Sequence, residues 1–337
     1  MTSTTLQVGE DGAVRDVDMP AAVRALREGG LVAFPTETVY GLGADAANPE
    51  AIRRLYSVKG RPPTHPVIVH LGEAGQLDEW AVAVPDLAHE LARACWPGPL
   101  TLVLRRSRRV PDEVTGGRDT VGLRVPGHPV ALSLLREFGG ALAAPSANRF
   151  GRVSPTIAAD VRTELGDDVD VILDGGPCQV GIESTIVDIT GTEPRILRPG
   201  AVAREVVEEI AGGPILVATD AVGGAPGTLA SHYAPRARVL VVGADAVADR
   251  AAAALADGDR VGVLAEKRPD GLPDGLPAGI VLLEAPHDAD DYARVLYSRL
   301  RAADEERLDV LLAVPPAEMG IGTAVTDRLR RAAGSAP

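Results

Sequence analysis

Apolar residues fall in short blocks along this chain, separated by stretches with helical spacing and by turns rich in glycine and proline. Residues 20–28 repeat apolar positions at Ala21, Ala22, Val23, Ala25 and Leu26, with Pro20 at the start and Gly29 and Gly30 as the stop, which predicts a helix. The run Leu31 to Phe34 follows as a buried strand and breaks at Pro35. Asn48 before Pro49 predicts an N-cap, and Ile52, Leu55 and Tyr56 give that helix an apolar face as far as Gly60. The same reading places strands at 66–71, 100–104, 120–125, 141–144, 169–173, 184–189 and 195–197. Helices are expected at 86–95, 130–138 and 203–210, with another capped by Ser154 and Pro155.

Between 212 and 236 the composition shifts to Gly, Ala, Pro and Thr, the mark of an interdomain linker, and it carries the word HYAP at 232–235. Beyond it, apolar strands at 239–242, 261–264, 280–283 and 308–313 alternate with helical patterns such as 292–303. That alternation predicts a smaller, parallel, Rossmann-like α/β domain, although no glycine fingerprint opens it. With a length of 337 residues, the expected organisation is an α/β domain over 15–212, a linker over 213–236 and a second α/β domain over 237–337.

Charge and composition narrow the classes. A net charge of −13 argues against a general nucleic-acid or anionic-membrane coat, and aromatics at 3% leave little for stacking single-stranded bases. Stable direct nucleic-acid binding is therefore not expected. Cys95 and Cys178 lie far apart without CxxC spacing, which indicates neither a zinc site nor a disulfide framework. Both read as buried small hydrophobes. No charged-then-apolar leader opens the chain and no run reaches membrane-span length, so a cytoplasmic location and no membrane contact are expected.

The chain has no Walker loop, no GxGxxG after a strand, no HExxH and no GxSxG elbow. What it offers is cations and hydroxyls at strand ends: Lys59, Arg61, Arg124, Ser146, Asn148, Ser184, Thr185 and Arg198. Several fixed cations in one place suit a triphosphate, because the negative charge must be spread and the departing pyrophosphate stabilised. Each cation alone reads more readily as a solvated charge; their glycine- and proline-rich setting is what raises the functional reading. The run Arg105 to Arg109 is read as solvated. The stretch 30–45 presents Thr36, Glu37, Thr38 and Tyr40 in a turn, with Gly41 and Gly43 leaving room for something bound. Glu37 reads as a general base or as a cap on a nearby turn, and His70 as a core histidine or a ligand contact. Asp174 and Asp188 could help a metal.

Eight words then stand in order: FPTETVYGLG at 34–43, KGRP at 59–62, PVIVH at 66–70, WPGPLT at 96–101, VGLRVP at 121–126, PSAN at 145–148, STIVD at 184–188 and RPG at 198–200. This series resembles the YrdC-like family of threonylcarbamoyl-adenylate synthases, and HYAP with the following domain resembles its longer, two-domain branch. The resemblance implies a twisted mixed sheet around a concave, positively charged cleft. It implies an enzyme, a nucleotidyltransferase, that condenses L-threonine, bicarbonate and ATP into threonylcarbamoyl-AMP and pyrophosphate. The product would pass to a tRNA threonylcarbamoyl transferase machinery. Thr36, His70, Arg124, Ala144 and Ser184 would contact threonine, with Tyr40 lining the pocket. Lys59, Arg61, His65, Thr120, Ser146, Asn148, Ser154 and Arg198 would face ATP, and Tyr233 would come over the nucleotide from the linker. Lys59 and Arg61 would carry the catalysis, and Mg²⁺ would travel with ATP.

Two departures from the family pattern are visible: His65 stands where many relatives have Asn, and Leu229, Ala230 and Ser231 precede the linker His-Tyr where basic residues are common. Two other classes remain at this point. One is a carbamoyl-transfer protein of the hydrogenase-maturation type, whose acylphosphatase-like and zinc-finger regions do not precede residue 15 here. The other is a non-catalytic RNA-binding module.

Overall fold

The structure is a computed structural model that describes residues 4–7, 19–218, 233–272 and 277–334. Two units emerge: residues 1–150 with 154–228, and 151–153 with 229–337. In chain order the first contains β1 (Thr4–Gln7), α1 (Met19–Arg27), β2 (Val32–Phe34), β3 (Gly41–Asp45), α2 (Pro49–Lys59), β4 (Ile68–His70), α3 (Leu77–Trp80) and α4 (Asp86–Cys95). It continues with β5 (Leu100–Arg105), α5 (Asp112–Thr115), β6 (Thr120–Arg124), α6 (Pro129–Phe138), β7 (Leu142–Ala143), α7 (Ala158–Leu165), β8 (Val171–Asp174), β9 (Thr185–Asp188), β10 (Arg195–Arg198), α8 (Arg204–Ala211) and β11 (Leu216–Val217).

These strands form an 11-stranded sheet in the order β1-β8-β2-β3-β7-β4-β6-β5-β9-β10-β11. It is mixed: β4 runs parallel to β6 and antiparallel to β7, while β5 runs antiparallel to β6 and parallel to β9. Both faces are covered. Leu31 and Ala33 join the core that includes Ile52, Leu55, Leu91 and Leu123, whereas Val32 and Phe34 join the layer of Leu26, Val130 and Leu134. A continuous apolar run is what a strand buried on two faces requires.

Helix α2 begins and ends where its sequence dictates. Asn48 accepts from the N–H groups of Glu50 and Ala51, Pro49 occupies the first turn, and Gly60 ends the helix in a left-handed conformation at φ 64°. That stop leaves Lys59 as the last helical residue, next to the sheet.

The structure departs from the sequence reading at three places. Gly41–Asp45 is strand β3 at the centre of the sheet, paired antiparallel with β2, and not an open turn. Its glycines make room for a ring: a Cβ on Gly43 would lie 2.8 Å from Phe34 Cε1, and one on Gly41 3.3 Å from Phe34 Cζ. Ser154 caps no helix, because α7 starts at Ala158 after Ile157. Leu216–Val217, inside the expected linker, extends the sheet as β11 alongside β10. The rest of that linker from 219 to 232, His232 included, lies outside the described residues.

The second unit contains β12 (Arg238–Val241), α9 (Val247–Ala256), β13 (Val261–Leu264), β14 (Ile280–Leu282), α10 (Ala289–Glu305), β15 (Val310–Ala313) and α11 (Ile321–Ala333). Its four strands are parallel throughout, in the order β12-β15-β13-β14. No described helix is long and apolar enough to cross a membrane.

Gly43→Ala is expected to destabilise the protein by about 1–3 kcal/mol through overpacking against Phe34. Urea unfolding measures the loss, and adding Phe34→Leu should recover part of it.

Candidate functional site

Two groups of buried polar residues flank the strands β4, β6 and β7. The first gathers at the end of α2. Lys59, 2% exposed, donates from Nζ to the carbonyls of Ser146 and Asn148, both at 2.5 Å. The PSAN turn after β7 therefore meets Lys59 through its backbone. Burial, and then the neighbouring Arg61 guanidinium, hold the Lys59 ammonium well below the usual lysine pKa.

Arg61 donates from Nε to the His65 carbonyl at 3.3 Å and from Nη2 to the Pro66 carbonyl at 2.9 Å, and its guanidinium lies 5.7 Å from the centre of the Phe150 ring. The His65 ring leans on the same Phe150 at 5.6 Å, and its pKa is lowered by burial and by Arg61 and Arg118. Thr120 opens β6, two residues ahead of the pair Gly122 and Ile68, which brings it to the Pro66 end of β4. Lys59, Arg61, His65, Thr120, Ser146 and Asn148 thus share one end of these strands.

The second group lies at the other end, where His70 of β4 stands opposite Arg124 of β6. Arg124 is 4% exposed; it donates from Nε to the Gly98 carbonyl at 3.2 Å and from Nη2 to Thr38 Oγ1 at 3.1 Å. Its Nη2 also lies 2.7 Å from Glu37 Oε1. Thr36 shares a 2.8 Å hydrogen bond with Thr38 and donates to the Val39 carbonyl at 2.6 Å, so its hydroxyl ties its own turn. His70 is buried with its ring edge-on to Phe34 at 6.1 Å, and no described residue bonds its Nδ1. Burial, with Arg124 beside it, pushes its pKa down to about 3, so the imidazole is neutral at physiological pH.

Ser184 shares a 2.8 Å hydrogen bond with Thr101 and accepts from Arg198, which also donates to the Ser184 carbonyl at 2.9 Å. Ala144 continues from β7, its N–H on the Ile68 carbonyl at 2.9 Å. Arg198, expected to face ATP, is therefore held on the residue expected to face threonine. Ser154 donates to Glu183 Oε1 at 2.8 Å, and both side chains are buried.

Several expectations change. Tyr40 is fully buried, and its hydroxyl donates to the Gly176 carbonyl at 2.8 Å, so it braces the turn at 174–176. Asp174 accepts from Gly176 N–H and Asp188 from Thr190, so both carboxylates serve local turns. Among the described residues no cluster of three or more His, Cys, Asp or Glu could hold a metal. In the run 105–109, Arg106 pairs with Asp112 at 2.6 Å, and Arg109 pairs with Glu79 and lies over Trp80. Cys178 is buried as expected, Cys95 only partly.

Tyr233 belongs to the second unit, where its ring stacks on Tyr297 at 5.5 Å with the Arg328 guanidinium 5.4 Å from its centre. Sequence reasoning left Glu37 as a base or a cap, named Thr38 only as part of the presented turn, and missed Glu183 and Thr101. Glu37 and Thr38 stood inside the FPTETVYGLG word, and Glu183 beside STIVD; their partners, distant in sequence, gave no local signal.

Fold and site define a two-unit α/β protein whose first unit gathers buried cations able to receive anions at both ends of a strand pair. The family Sua5_yciO_yrdC, described as Telomere recombination, matches residues 24–200, and Sua5_C, described as Threonylcarbamoyl-AMP synthase, C-terminal domain, matches 202–334. A threonylcarbamoyl-AMP synthase of Pyrococcus abyssi is 40% identical over 321 residues, 92% of this chain and 92% of its own length. One of Bacillus subtilis is 37% identical over 98% of this chain and 96% of its own length. The crystal structure of P. abyssi Sua5 complexed with L-threonine matches with a TM-score of 0.90 at 38% identity, covering 98% of each chain. This chain belongs to the Sua5/YrdC family.

A buried neutral histidine makes a pH prediction. The unfolded chain takes up a proton near 6.5 and the folded one only near 3, so His70 favours the folded state above 6.5 and loses that contribution as pH falls. Replacing His70 by Gln should flatten the acid limb of the stability curve by about 1.4 kcal/mol per pH unit between those values. Denaturant unfolding at a series of pH values checks it.

Proposed function

We propose that this chain is a threonylcarbamoyl-AMP synthase, forming threonylcarbamoyl-AMP and pyrophosphate from L-threonine, bicarbonate and ATP. The observation that carries the reading is the division of the cations, Lys59 and Arg61 at one end of β4 and β6 and Arg124 at the other. An amino-acid carboxylate and a triphosphate are two anions, and a reaction that joins them needs a fixed cation for each. Further support comes from relatives with this name over most of the chain and from the matching structure complexed with L-threonine.

In this reading Arg124 receives the threonine carboxylate, with Thr36, His70, Ala144 and Ser184 around the rest of the amino acid. The deprotonated amine adds to carbon dioxide formed from bicarbonate, giving a carbamate. A carbamate oxygen attacks the α-phosphorus of ATP, the bond to the β-phosphate oxygen breaks, and pyrophosphate leaves. Lys59 and Arg61 stabilise the charge that moves onto pyrophosphate. Two of the three Lys59 N–H donors are fixed by the Ser146 and Asn148 carbonyls, which aims the third. His65, Thr120, Ser146 and Asn148 complete the nucleotide side at that end, while Ser154 and Arg198, also read as ATP contacts, are held by Glu183 and Ser184.

The donors on that side are cations, hydroxyls and carbonyls with one buried carboxylate, Glu183. Such a set suits Mg²⁺ that arrives on the phosphates and keeps phosphate and water oxygens as ligands. When bound, the ion would neutralise triphosphate charge. The product is an activated donor, so the next step is transfer of its threonylcarbamoyl group to an adenosine of tRNA.

Pyrophosphate release from ATP is expected to require threonine and bicarbonate together; omission of either should abolish it, and no release from folded protein supplied with all three would overturn the reading. Lys59→Ala and Arg61→Ala should each lower turnover by about a hundredfold or more, with circular dichroism confirming the fold.

A further inference from the structure

Glu37 is the one carboxylate that touches the Arg124 guanidinium among the described residues. Its side chain is 9% exposed; Oε2 accepts from Gly127 N–H at 2.9 Å, and Oε1 forms an ion pair with Arg124, 2.7 Å from Nη2, with no hydrogen bond of its own among the described residues. Its backbone is pinned as well, the Glu37 carbonyl accepting from Val180 N–H at 2.8 Å. A carboxylate held on both sides is a fixed anchor.

The donors of Arg124 divide accordingly. Nε is committed to the Gly98 carbonyl, and Nη2 to Thr38 and Glu37. A guanidinium has five N–H donors, and the two on Nη1 meet no described residue. The geometry points to Glu37 as the positioning residue for substrate: it holds Nη2, fixes the plane of Arg124 and leaves Nη1 as the open edge for the carboxylate of an α-amino acid. This rests on the reading of Arg124 as the group that receives that carboxylate.

Charge and shape both give Glu37 this role. With no ligand bound, an Arg124 without Glu37 would be a buried cation lacking a counter-ion, and it would turn toward any oxygen in reach. Nε on the Gly98 carbonyl and Nη2 on Thr38 meet neutral acceptors only, and the Glu37 carboxylate adds the opposite charge on that same far nitrogen. Glutamine cannot replace it. An amide can keep the Gly127 hydrogen bond through its one oxygen, but it carries no charge to pair with Arg124 and turns an NH₂ toward the guanidinium. Aspartate keeps the charge but is one methylene shorter.

The test uses the full chain as wild type, Glu37→Gln, Glu37→Asp and Arg124→Lys, titrated calorimetrically with L-threonine and assayed for pyrophosphate release. Glu37→Gln should weaken threonine binding by about tenfold or more and raise the threonine KM in parallel. The ATP KM and kcat should move by less than about threefold. Glu37→Asp should recover part of the affinity, and adding Glu37→Gln to Arg124→Lys should cause little further loss, because the two residues act as one unit. Wild-type affinity in folded Glu37→Gln overturns the role, as does a parallel loss for threonine and ATP. If Glu37→Gln does not fold, Glu37→Asp decides: weaker threonine with unchanged ATP supports the role, and unchanged affinity for both overturns it. Wild-type protein that binds no threonine overturns the underlying reading of Arg124, and the role of Glu37 falls with it.

Discussion

Burial of the Lys59 ammonium is the constraint around which the first unit is arranged. An ammonium taken out of water without partners is lost to neutralisation or forces the chain open. Here both partners come from a single turn. Helix α2 delivers the side chain, Gly60 ends the helix at that residue, and the turn after β7 supplies the Ser146 and Asn148 carbonyls. The carbonyl end of α2 adds the favourable end of its dipole to the same cation. Carbonyls are neutral acceptors, so they fix the position of the ammonium without cancelling its charge. That distinguishes a cation kept for an incoming anion from one consumed in a structural ion pair.

Arg124 is treated differently, and the contrast is informative. It faces a carboxylate, Glu37, at 2.7 Å, together with one carbonyl and one hydroxyl. A triphosphate carries several negative charges and can draw on uncompensated cations, whereas an amino-acid carboxylate carries one and competes for a cation already half satisfied. A site built in this way favours orientation over raw attraction. The Ser184 end adds hydroxyls and a second guanidinium, Arg198, both fixed to backbone or to each other.

Local signals made the skeleton of this site legible and long-range pairing did not. Asn48, Pro49 and Gly60 act within a few residues of themselves, so the start and stop of α2, and with them the place of Lys59, could be read directly. The buried strand Leu31 to Phe34 and the parallel second domain followed from apolar runs in the same way. The strand at Gly41–Asp45 was hidden because its glycines looked like turn residues. Their reason is the Phe34 ring on the neighbouring strand, a fact of packing. Glu37 and Arg124 lie far apart in sequence, and so do Ser154 and Glu183. Nothing in either local pattern says which carboxylate will meet which donor. Family resemblance supplied the residues expected to face ligands, but not the groups that hold them in place.

The second unit shows what a buried cation looks like when it is closed off. Arg328 is fully buried, pairs with Asp327 at 2.6 Å and has the Tyr233 ring over its guanidinium. Tyr233 itself adopts φ 63°, a left-handed backbone that a bulky aromatic takes only against a steric penalty. The stacking on Tyr297 and the contact with Arg328 offset that penalty by burying the whole ring. A carboxylate and an aromatic face hold Arg328 on two sides. Lys59 is held instead by two neutral carbonyls, those of Ser146 and Asn148. Carbonyls around Lys59 and carboxylates beside Arg124 and Arg328 show that depth alone does not set how a buried cation is compensated.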